Sequence, residues 1–451
     1  MSLPGATDNS GPALHGTGPI TGTISHAMDQ PAGGDVPTPT TARRDTSLLA
    51  VGSLVSGLLA YVFFALVTRT LGPGPAAPVA VLWAWWSFSG AAITFPVQHW
   101  ISRTAALEGG EAAVRRGLPR VAAAVGGTSF AAGAVAWLAS ERLFGPDGGW
   151  FPLLTVGVGL GCGVLGLVRG TLSARHQFIA VGIGLVVENG LRCLVAVALI
   201  VGGTESPRAY GVALVIGGAA ALLWPAALVP RRTGVGGLGT PLTFVSGASA
   251  GQLLAQVTLT GGPVLLAAVN GAPAQVTALF AALALFRAPY TFAIGLVSAL
   301  TGRLTRLVEA GERDALRHIR EGLILATLVT AALGGLGGAW LGPEVMELVF
   351  GEGVSLDRGN TALVAIGSVF ALATLVLTVG LLARGRTVAV ARTWLVALPF
   401  GVGTYLLVPG SELTRTCWTF VAVEAVAWAG FLLLEWRSDR RVSRLVGGQE
   451  H

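Results

Sequence analysis

The sequence predicts an all-α, polytopic membrane protein with about 12 transmembrane helices in two six-helix lobes around a central cleft. Twelve mostly apolar stretches follow one another from Ser47 to Glu435, and each has the roughly 20 residues that cross a hydrocarbon layer as a helix. The composition agrees, because 53% of the residues are hydrophobic, 12% are charged and the mean hydropathy is +0.70. These values exclude a soluble globular protein.

Each apolar stretch is predicted to form one helix, because backbone amides inside a bilayer must be bonded within their own segment. The predicted spans cover residues 47–68, 79–101, 118–139, 150–168, 178–202, 209–229, 242–268, 276–299, 320–341, 361–383, 388–408 and 413–435. Twelve tryptophans lie mostly near the predicted ends of these spans, as in the aromatic belts of membrane proteins. Those assigned to the outer belt are Trp83, Trp85, Trp86, Trp137, Trp150, Trp340 and Trp418.

The distribution of arginine predicts the orientation. Of the 29 basic residues, all arginine, 22 lie before the first span, in the even-to-odd connections or after the last span. Only five lie in the odd-to-even connections, together with eight acidic residues. Because cytoplasmic loops carry the excess of basic residues, both termini are expected in the cytoplasm.

The absence of lysine indicates a codon bias toward G and C, which suggests a bacterial inner membrane.

Several functional classes receive no support from the sequence. Cys162, Cys193 and Cys417 lie inside predicted spans and lack the spacing of a disulfide framework or a zinc site. A phosphate-binding loop that ends in Lys is impossible without lysine. The net charge of +6 reflects orientation and not nucleic-acid binding. We therefore expect no metal, no cofactor, no catalytic residue and no nucleic-acid partner.

The chain is predicted to divide at a Gly-rich basic loop. Residues 1–42 form a disordered cytoplasmic tail, 43–229 and 242–436 the two six-helix lobes, 230–241 a cytoplasmic linker, and 437–451 a basic cytoplasmic tail. A faint repeat supports the division, because the loops that begin at Thr104 and Thr305 share five identities in fifteen positions at an offset of 201. Two such lobes would be parallel repeats.

Four ionisable residues are predicted near mid-depth in the spans, namely Glu188, Arg192, Arg287 and Glu424. Each costs at least about 2.5–3.5 kcal/mol on insertion scales unless it faces protein, water or a partner. Together they predict a polar cavity inside the bundle. Glu188 and Arg192 are four residues apart on one helical face. They are interpreted either as a structural pair or as a pair that also senses substrate or protons.

Arg287 has no acidic neighbour within a turn of its helix, and Pro289 frees the carbonyl of Leu285 close to it. It is interpreted as an anion ligand, with pairing to Glu424 or Glu188 as the alternative. Pro263, in the seventh span, is expected to loosen a turn in the same way.

Polar side chains in the first span of each lobe predict a shared water-filled cleft. In the seventh span Ser246, Ser249, Gln252, Gln256 and Thr260 recur every three or four residues, which places them on one stripe. In the first span Tyr61 belongs to a weaker stripe. Such stripes also hold helices together without any role in transport.

Two motifs carry a family resemblance that covers about residues 45–435. The first span ends in TRTLGPG at Thr68–Gly74, and the eighth runs FRAPYTFAIGLVSALTGRLTRLVEAGERDALR. With two six-helix lobes, this resembles the polysaccharide-export branch of the multidrug/oligosaccharidyl-lipid/polysaccharide flippase superfamily. The resemblance implies a V-shaped pair of lobes around a cleft that opens alternately to each side and moves a polyprenyl-pyrophosphate-linked oligosaccharide across the membrane.

Under this resemblance Arg287 would meet the pyrophosphate, and the stripe with Ser249, Gln252 and Gln256 would bond sugar hydroxyls. Arg192 and Tyr61 are further candidate substrate ligands, and Glu188 and Glu424 are candidates for ion or proton coupling. The expected partners are the lipid bilayer and a lipid-linked glycan for cell-surface polysaccharide or lipopolysaccharide biosynthesis, with a glycan polymerase and glycosyltransferases as further candidates.

Two related transporters and one enzyme class are the alternatives. A multidrug and toxin extrusion antiporter usually relies on carboxylates in the first helix of a lobe, and the first and seventh spans contain no Asp or Glu. A peptidoglycan-precursor flippase differs only in the glycan. A membrane-embedded glycosyltransferase or polymerase is disfavoured because the outer loops are short, so the protein is not expected to be an enzyme.

Overall fold

The computed structural model describes residues 39–107, 110–146, 148–231, 252–291, 293, 310, 312–383 and 387–447. Within these residues every regular element is a helix, which confirms the all-α prediction. The α-helices are α1 Pro39–Leu71, α2 Ala77–Ser89, α3 Phe95–Leu107, α4 Glu111–Leu138, α5 Ser140–Phe144, α6 Phe151–Ala174, α7 Phe178–Val201, α8 Pro207–Ile216, α9 Pro225–Leu228, α10 Gly262–Ala268, α11 Pro273–Phe286, α12 Arg313–Phe350, α13 Arg358–Ala383, α14 Thr387–Leu407 and α15 Glu412–Gly447. A π-helical turn, Gly90–Thr94, joins α2 to α3, short 3₁₀ segments cover Gly148–Trp150 and Gly217–Leu223, and residues 252–260 are also helical.

The chain forms two compact units, Met1–Ala42 and Arg43–His451. In the first unit the described residues, 39–42, are helical, and the remainder of the predicted tail lies outside the described residues. All the contacts below belong to the second unit. At the other terminus α15 runs through most of the predicted basic tail, as far as Gly447.

Nine helical segments of the described chain are long and apolar enough to cross a membrane. They match the first five and the last four predicted spans and confirm a polytopic membrane protein. The sixth, seventh and eighth predicted spans are not single helices. They are interrupted near residues 217–224, at Gly261 and at Arg287, and in each case a proline follows within two residues of the break. Proline lacks an amide hydrogen and ends the helical bonding, so the predicted loosening at Pro263 and Pro289 is confirmed.

Helices pack most extensively with neighbours from the same part of the sequence. In the first half, defined here as α1–α9, α6 contacts α2, α3, α4, α7, α8 and α9. In the second half, residues 252–447, α13 and α15 form the centre, flanked by α12 and α14. The exact lobe boundaries stay a prediction, because residues 232–241 of the predicted linker and residues 242–251 of the predicted second lobe lie outside the described residues. So do residues 305–309, in the second copy of the predicted repeat.

The connections predicted to be cytoplasmic meet at one end of the first half. Glu111, at the start of α4, accepts two bonds from Arg175 in the α6–α7 turn, at 2.7 and 2.8 Å. It also accepts the backbone N–H of Arg231, which follows α9. The alternation of the predicted loops is therefore confirmed for these three connections. We call this the inner end and the opposite one, at the α1–α2 turn, the outer end, following the predicted orientation.

Close packing of α6 against the π-helical turn depends on Gly166. A Cβ atom there would lie 2.9 Å from the carbonyl oxygen of Thr94 and 3.2 Å from its Cα atom. We expect Gly166→Ala to lower stability by about 1–3 kcal/mol, because the backbone must shift. Thermal unfolding of the purified protein in detergent measures this loss.

Gly126→Ala in α4 is the matched control, because a Cβ atom there meets no atom within 4 Å. Alanine favours the helix by up to about 1 kcal/mol at such a site. Equal melting temperatures for the two variants would contradict the predicted packing.

Candidate functional site

An aromatic cluster joins the two halves at the outer end. Phe64 of α1 lies 4.5 Å from Phe280 of α11 and 5.8 Å from Phe350 of α12, measured between ring centroids. Trp83 of α2 lies 5.8 Å from the same Phe280 ring. All four side chains are buried. The halves are therefore in contact at this end, and the assignment of Trp83 to the aromatic belt is wrong because its ring fills the contact between them.

Hydrogen bonds from α1 to the end of α12 strengthen the same contact. Thr68 Oγ1 donates to the carbonyl of Phe350 at 2.7 Å. Arg69 donates from Nε to Val349, at 3.1 Å, and from Nη2 to Leu348. The last carbonyls of a helix have no donor within the helix, and a cation near them is favourable. We call these three bonds the α1–α12 cap.

Tyr61 and Arg287 lie close together, further into the bundle than the aromatic cluster. Tyr61 Oη on α1 donates to the carbonyl of Ala284 at 2.8 Å, across the contact between the halves. Arg287 follows the last residue of α11, and its Nε donates to the adjacent carbonyl, that of Leu283, at 2.8 Å. The structure therefore brings together two of the predicted substrate ligands.

Two prolines explain the position of the Arg287 side chain. Pro263 has no amide hydrogen to offer the carbonyl of Leu259, four residues earlier. Arg287 Nη1 supplies the missing donor at 3.0 Å. Pro289 likewise leaves the carbonyl of Leu285 free, as the sequence predicted, and this oxygen accepts the backbone N–H of Arg287. Arg287 thus bonds free carbonyls at both breaks.

One nitrogen of Arg287 is unused among the described residues. Within the described residues its Nη2 has no hydrogen-bond partner, and no carboxylate forms an ion pair with it. The alternative pairing with Glu188 or Glu424 is therefore not formed among these residues. Glu188 pairs with other arginines, and Glu424 accepts a bond from Thr374 Oγ1 at 3.2 Å. Among the described residues, part of the guanidinium group therefore remains available to an anion.

A cavity of about 180 Å³ lies between α1 and the second half, next to Tyr61. Its wall is almost entirely apolar, and Leu54 and Leu58 at its edge are exposed on the surface of the helix bundle. An exposed apolar surface of this kind is suited to contact with lipid chains. The lining residues are Leu54, Gly57, Leu58, Tyr61, Leu285, Ala288, Thr291, Val349 and Phe350.

A buried ion cluster occupies the first half. Glu188 accepts from Arg192 at 2.6 Å, as the four-residue spacing predicted, and also from Arg169 on α6. Arg192 uses its other nitrogens on Asn189 and on the carbonyl of Leu214, at 2.7 and 3.1 Å, and its guanidinium group stacks on a tryptophan ring of α2. In this conformation Arg192 reaches a substrate only if these contacts break, so its role as a ligand stays a prediction.

Sequence reasoning missed Arg169. The fourth span was predicted to end at Val168, which assigned Arg169 to the cytoplasmic loop. In the structure α6 continues to Ala174 and the Arg169 side chain is only 9% exposed. The small and apolar residues that follow, Gly170–Leu172, were the available signal that the helix continues.

The other predicted site residues are dispersed. Gln256 donates along its own helix to Thr260 Oγ1, at 3.2 Å, and Gln252 is exposed. Ser249 lies outside the described residues. Glu424 is 1% exposed, within the second half, on α15. None of these four is shown in contact with Tyr61 or Arg287, so their roles as ligands stay predictions.

Neither a protein-family model nor a curated protein sequence matches this chain. Solved structures of membrane transporters match it over most of its length. The lipid II flippase MurJ in an inward closed conformation is 11% identical, with a TM-score of 0.63, and the match covers 87% of each chain. An inward-facing multidrug resistance MATE transporter of the MOP superfamily is 15% identical, with a TM-score of 0.56 and coverage of 87% and 94% of the two chains.

A MOP-superfamily transporter from Pyrococcus furiosus is 15% identical, with a TM-score of 0.54 and coverage of 88% of this chain and 95% of that chain. For that transporter, the reversed polarity of the binding pocket suggests a different function. Taken together, these matches show that the chain has the fold of the MOP-superfamily membrane transporters. The predicted fold class is confirmed, whereas the polysaccharide-export branch is not distinguished from the others.

Loss of the α1–α12 cap should let the outer ends of the halves separate. We expect Thr68→Val combined with Arg69→Gln to populate a longer distance between spin labels on Val201 and Leu407, which are 83% and 84% exposed. Each lost bond is worth about 0.5–1.5 kcal/mol, which is enough to shift a two-state equilibrium several-fold.

Arg142→Gln is the control for this measurement, because Arg142 is an exposed arginine of α5 at the same end. It should leave the distance distribution unchanged. An unchanged distribution in the double variant would show that the cap does not hold the outer end closed.

Proposed function

We propose that this protein is a flippase that moves a polyprenyl-pyrophosphate-linked oligosaccharide across a bacterial cytoplasmic membrane by alternating access, for cell-surface polysaccharide biosynthesis. The observation that carries the proposal is the combination of a cation that is only partly paired among the described residues, Arg287, with an apolar cavity that reaches an exposed apolar surface of α1. An anionic headgroup and an isoprenoid chain need these two environments side by side.

The chemistry of Arg287 suits a pyrophosphate. Bonds between a guanidinium group and a phosphate oxygen are charge-assisted and roughly twice as strong as neutral ones. The Nη2 atom, which has no partner among the described residues, provides such a donor without disturbing the two bonds to carbonyls. Tyr61 Oη lies beside it, since the two side chains bond adjacent carbonyls of α11. The lipid chain would remain against Leu54 and Leu58, so only the headgroup needs to leave the bilayer surface.

A cation antiporter of the multidrug and toxin extrusion type is the second candidate, supported by the fold of the matched MATE transporters. The residues at the contact between the halves disfavour it. Neither α1 within the membrane nor residues 252–268 contains a carboxylate, and the charge beside the cavity is positive. A flippase of peptidoglycan precursors has the same requirements as the proposed function and differs only in the glycan. No catalytic role is proposed. From the arginine distribution we propose that both termini lie in the cytoplasm.

Glu424 is the better candidate for energy coupling. Glu188 is held by two arginines, whereas Glu424 is buried and bonded among the described residues only to Thr374. A carboxylate in this environment is costly, and it can be neutralised by a proton or a monovalent cation taken from one side of the membrane.

We expect Glu424→Gln to abolish the dependence of transport on a pH gradient, because the amide cannot take up a proton. Transport of a lipid-linked oligosaccharide into reconstituted vesicles, with and without a gradient, measures this. Glu352→Gln, an exposed position in the α12–α13 turn, should keep the dependence. A gradient dependence that survives in Glu424→Gln would remove this residue from the coupling mechanism.

The proposed function is tested by the pool of lipid-linked oligosaccharides and its sidedness in cells. In depleted cells and in cells that carry only Arg287→Gln, we expect accumulation in the inner leaflet, with a smaller defect for Arg287→Lys, which keeps the charge. Arg115→Gln, an exposed residue of α4, is the control. A normal pool together with raised retention of cationic dyes would favour the antiporter.

Since Arg287 also bonds free carbonyls, its structural and binding roles must be separated. Pro263→Ala restores a backbone donor to Leu259 and replaces one bond of Arg287. In Pro263→Ala combined with Arg287→Gln we therefore expect the melting temperature to recover toward that of the original protein, whereas the inner-leaflet accumulation persists. Recovery of transport in this double variant would mean that Arg287 acts only on the structure.

A further inference from the structure

We propose that the first half binds one small monovalent anion, of the chloride type, beside Arg169. This inference goes beyond the proposed transport function and does not depend on it, because it rests on the charges and the packing of α6 and α7 alone. Its starting point is an imbalance of charge. Two arginines, Arg169 and Arg192, share the single carboxylate of Glu188, and no further carboxylate of the described residues pairs with them.

The imbalance is located at Arg169. All three nitrogens of the Arg192 guanidinium group are bonded, to Leu214, Asn189 and Glu188. Arg169 is bonded through Nη2 to Glu188, but its Nε is buried and has no partner among the described residues. A buried donor left unsatisfied costs about 1–3 kcal/mol, and more when the group is charged. An excess cation inside a membrane adds a further cost.

A small cavity lies against Arg169, and its size limits what can bind there. The cavity measures about 10 Å³ and is lined by the arginine together with apolar residues that include Leu165, Val181, Gly184 and Trp224. This is roughly the space needed for one water molecule. A monatomic anion fits with a slight shift of the surrounding side chains, whereas phosphate or carboxylate groups do not. The apolar wall offers no other donor, so the anion would be held by charge and by the guanidinium N–H groups.

A second cavity borders the first on the side of the inner end. This cavity of about 350 Å³ shares Ala180 and Trp224 with the first and extends to His176 and Gln177 in the α6–α7 turn. We expect an anion to enter from this side and not through the contact between the halves. Bound at Arg169, it would make the cluster of two arginines and one glutamate electrically neutral and would stabilise α6 against α7.

Thermal unfolding of the purified full-length protein tests the proposal. We expect the melting temperature to rise in a saturable manner with sodium chloride, compared with sodium gluconate at the same ionic strength, because gluconate is too large for the cavity. Arg169→Gln should remove the difference between the two salts. Arg115→Gln, at an exposed site, should keep it.

Glu188→Gln is expected to strengthen chloride binding, whereas Arg169→Gln is expected to abolish it. Removing the carboxylate leaves two cations, so we expect a half-saturating chloride concentration several-fold lower than in the original protein. The line width of the chloride NMR signal, measured on the original protein, reports binding even if a variant fails to fold. Equal melting temperatures in the two salts, or a chloride effect that survives in Arg169→Gln, would overturn the proposal. Such a result is expected if the cavity holds only water.

Discussion

The structure depends on one constraint, which is that every polar group inside the hydrocarbon layer must find its partner within the protein. Three predicted spans break this rule locally because their helices are interrupted at prolines. At two of these breaks the free carbonyls of Leu259 and Leu285 are satisfied by a single residue, Arg287. At the outer end, α1 supplies the donors that the end of α12 lacks. The same constraint thus determines both the helix breaks and the contacts between the halves.

Helix α1 connects these features. Ser56 on α1 donates to the carbonyl of Leu185 and accepts from Asn189, so this part of α1 is fixed to the ion cluster of the first half. Five residues later Tyr61 bonds α11, and the outer end of α1 bonds α12. Separation of the halves must break the contacts of Tyr61 and the α1–α12 cap together, whereas the contact at Ser56 stays intact. The simplest change that would make Arg287 accessible to a ligand is therefore a movement of α1 together with the first half.

Hydropathy and charge were sufficient to predict the class of the fold, because nine of the predicted spans appear as long apolar helices. The spacing of Glu188 and Arg192 correctly predicted their pairing, since residues four apart share a helical face. The position of a third partner on another helix is a tertiary property that spacing does not contain. Arg169 was therefore missed. Trp83 was misassigned because tryptophan occurs both in aromatic belts and in buried contacts between helices, and the sequence alone does not separate the two.

The two halves differ in how completely their charges are satisfied. In the first half Glu188 and Arg192 are both fully engaged, whereas Arg169 has a buried Nε without a partner among the described residues and lies beside a cavity of atomic size. In the second half the Nη2 atom of Arg287 has no partner among the described residues, the neighbouring Tyr61 lines a larger cavity, and Glu424 has one hydroxyl partner among those residues. A group already saturated by protein contacts has little left to offer a substrate, since binding would first have to break those contacts. Large ligands and coupling ions are therefore expected in the second half and along its contact with α1, and not in the saturated ion cluster of the first half.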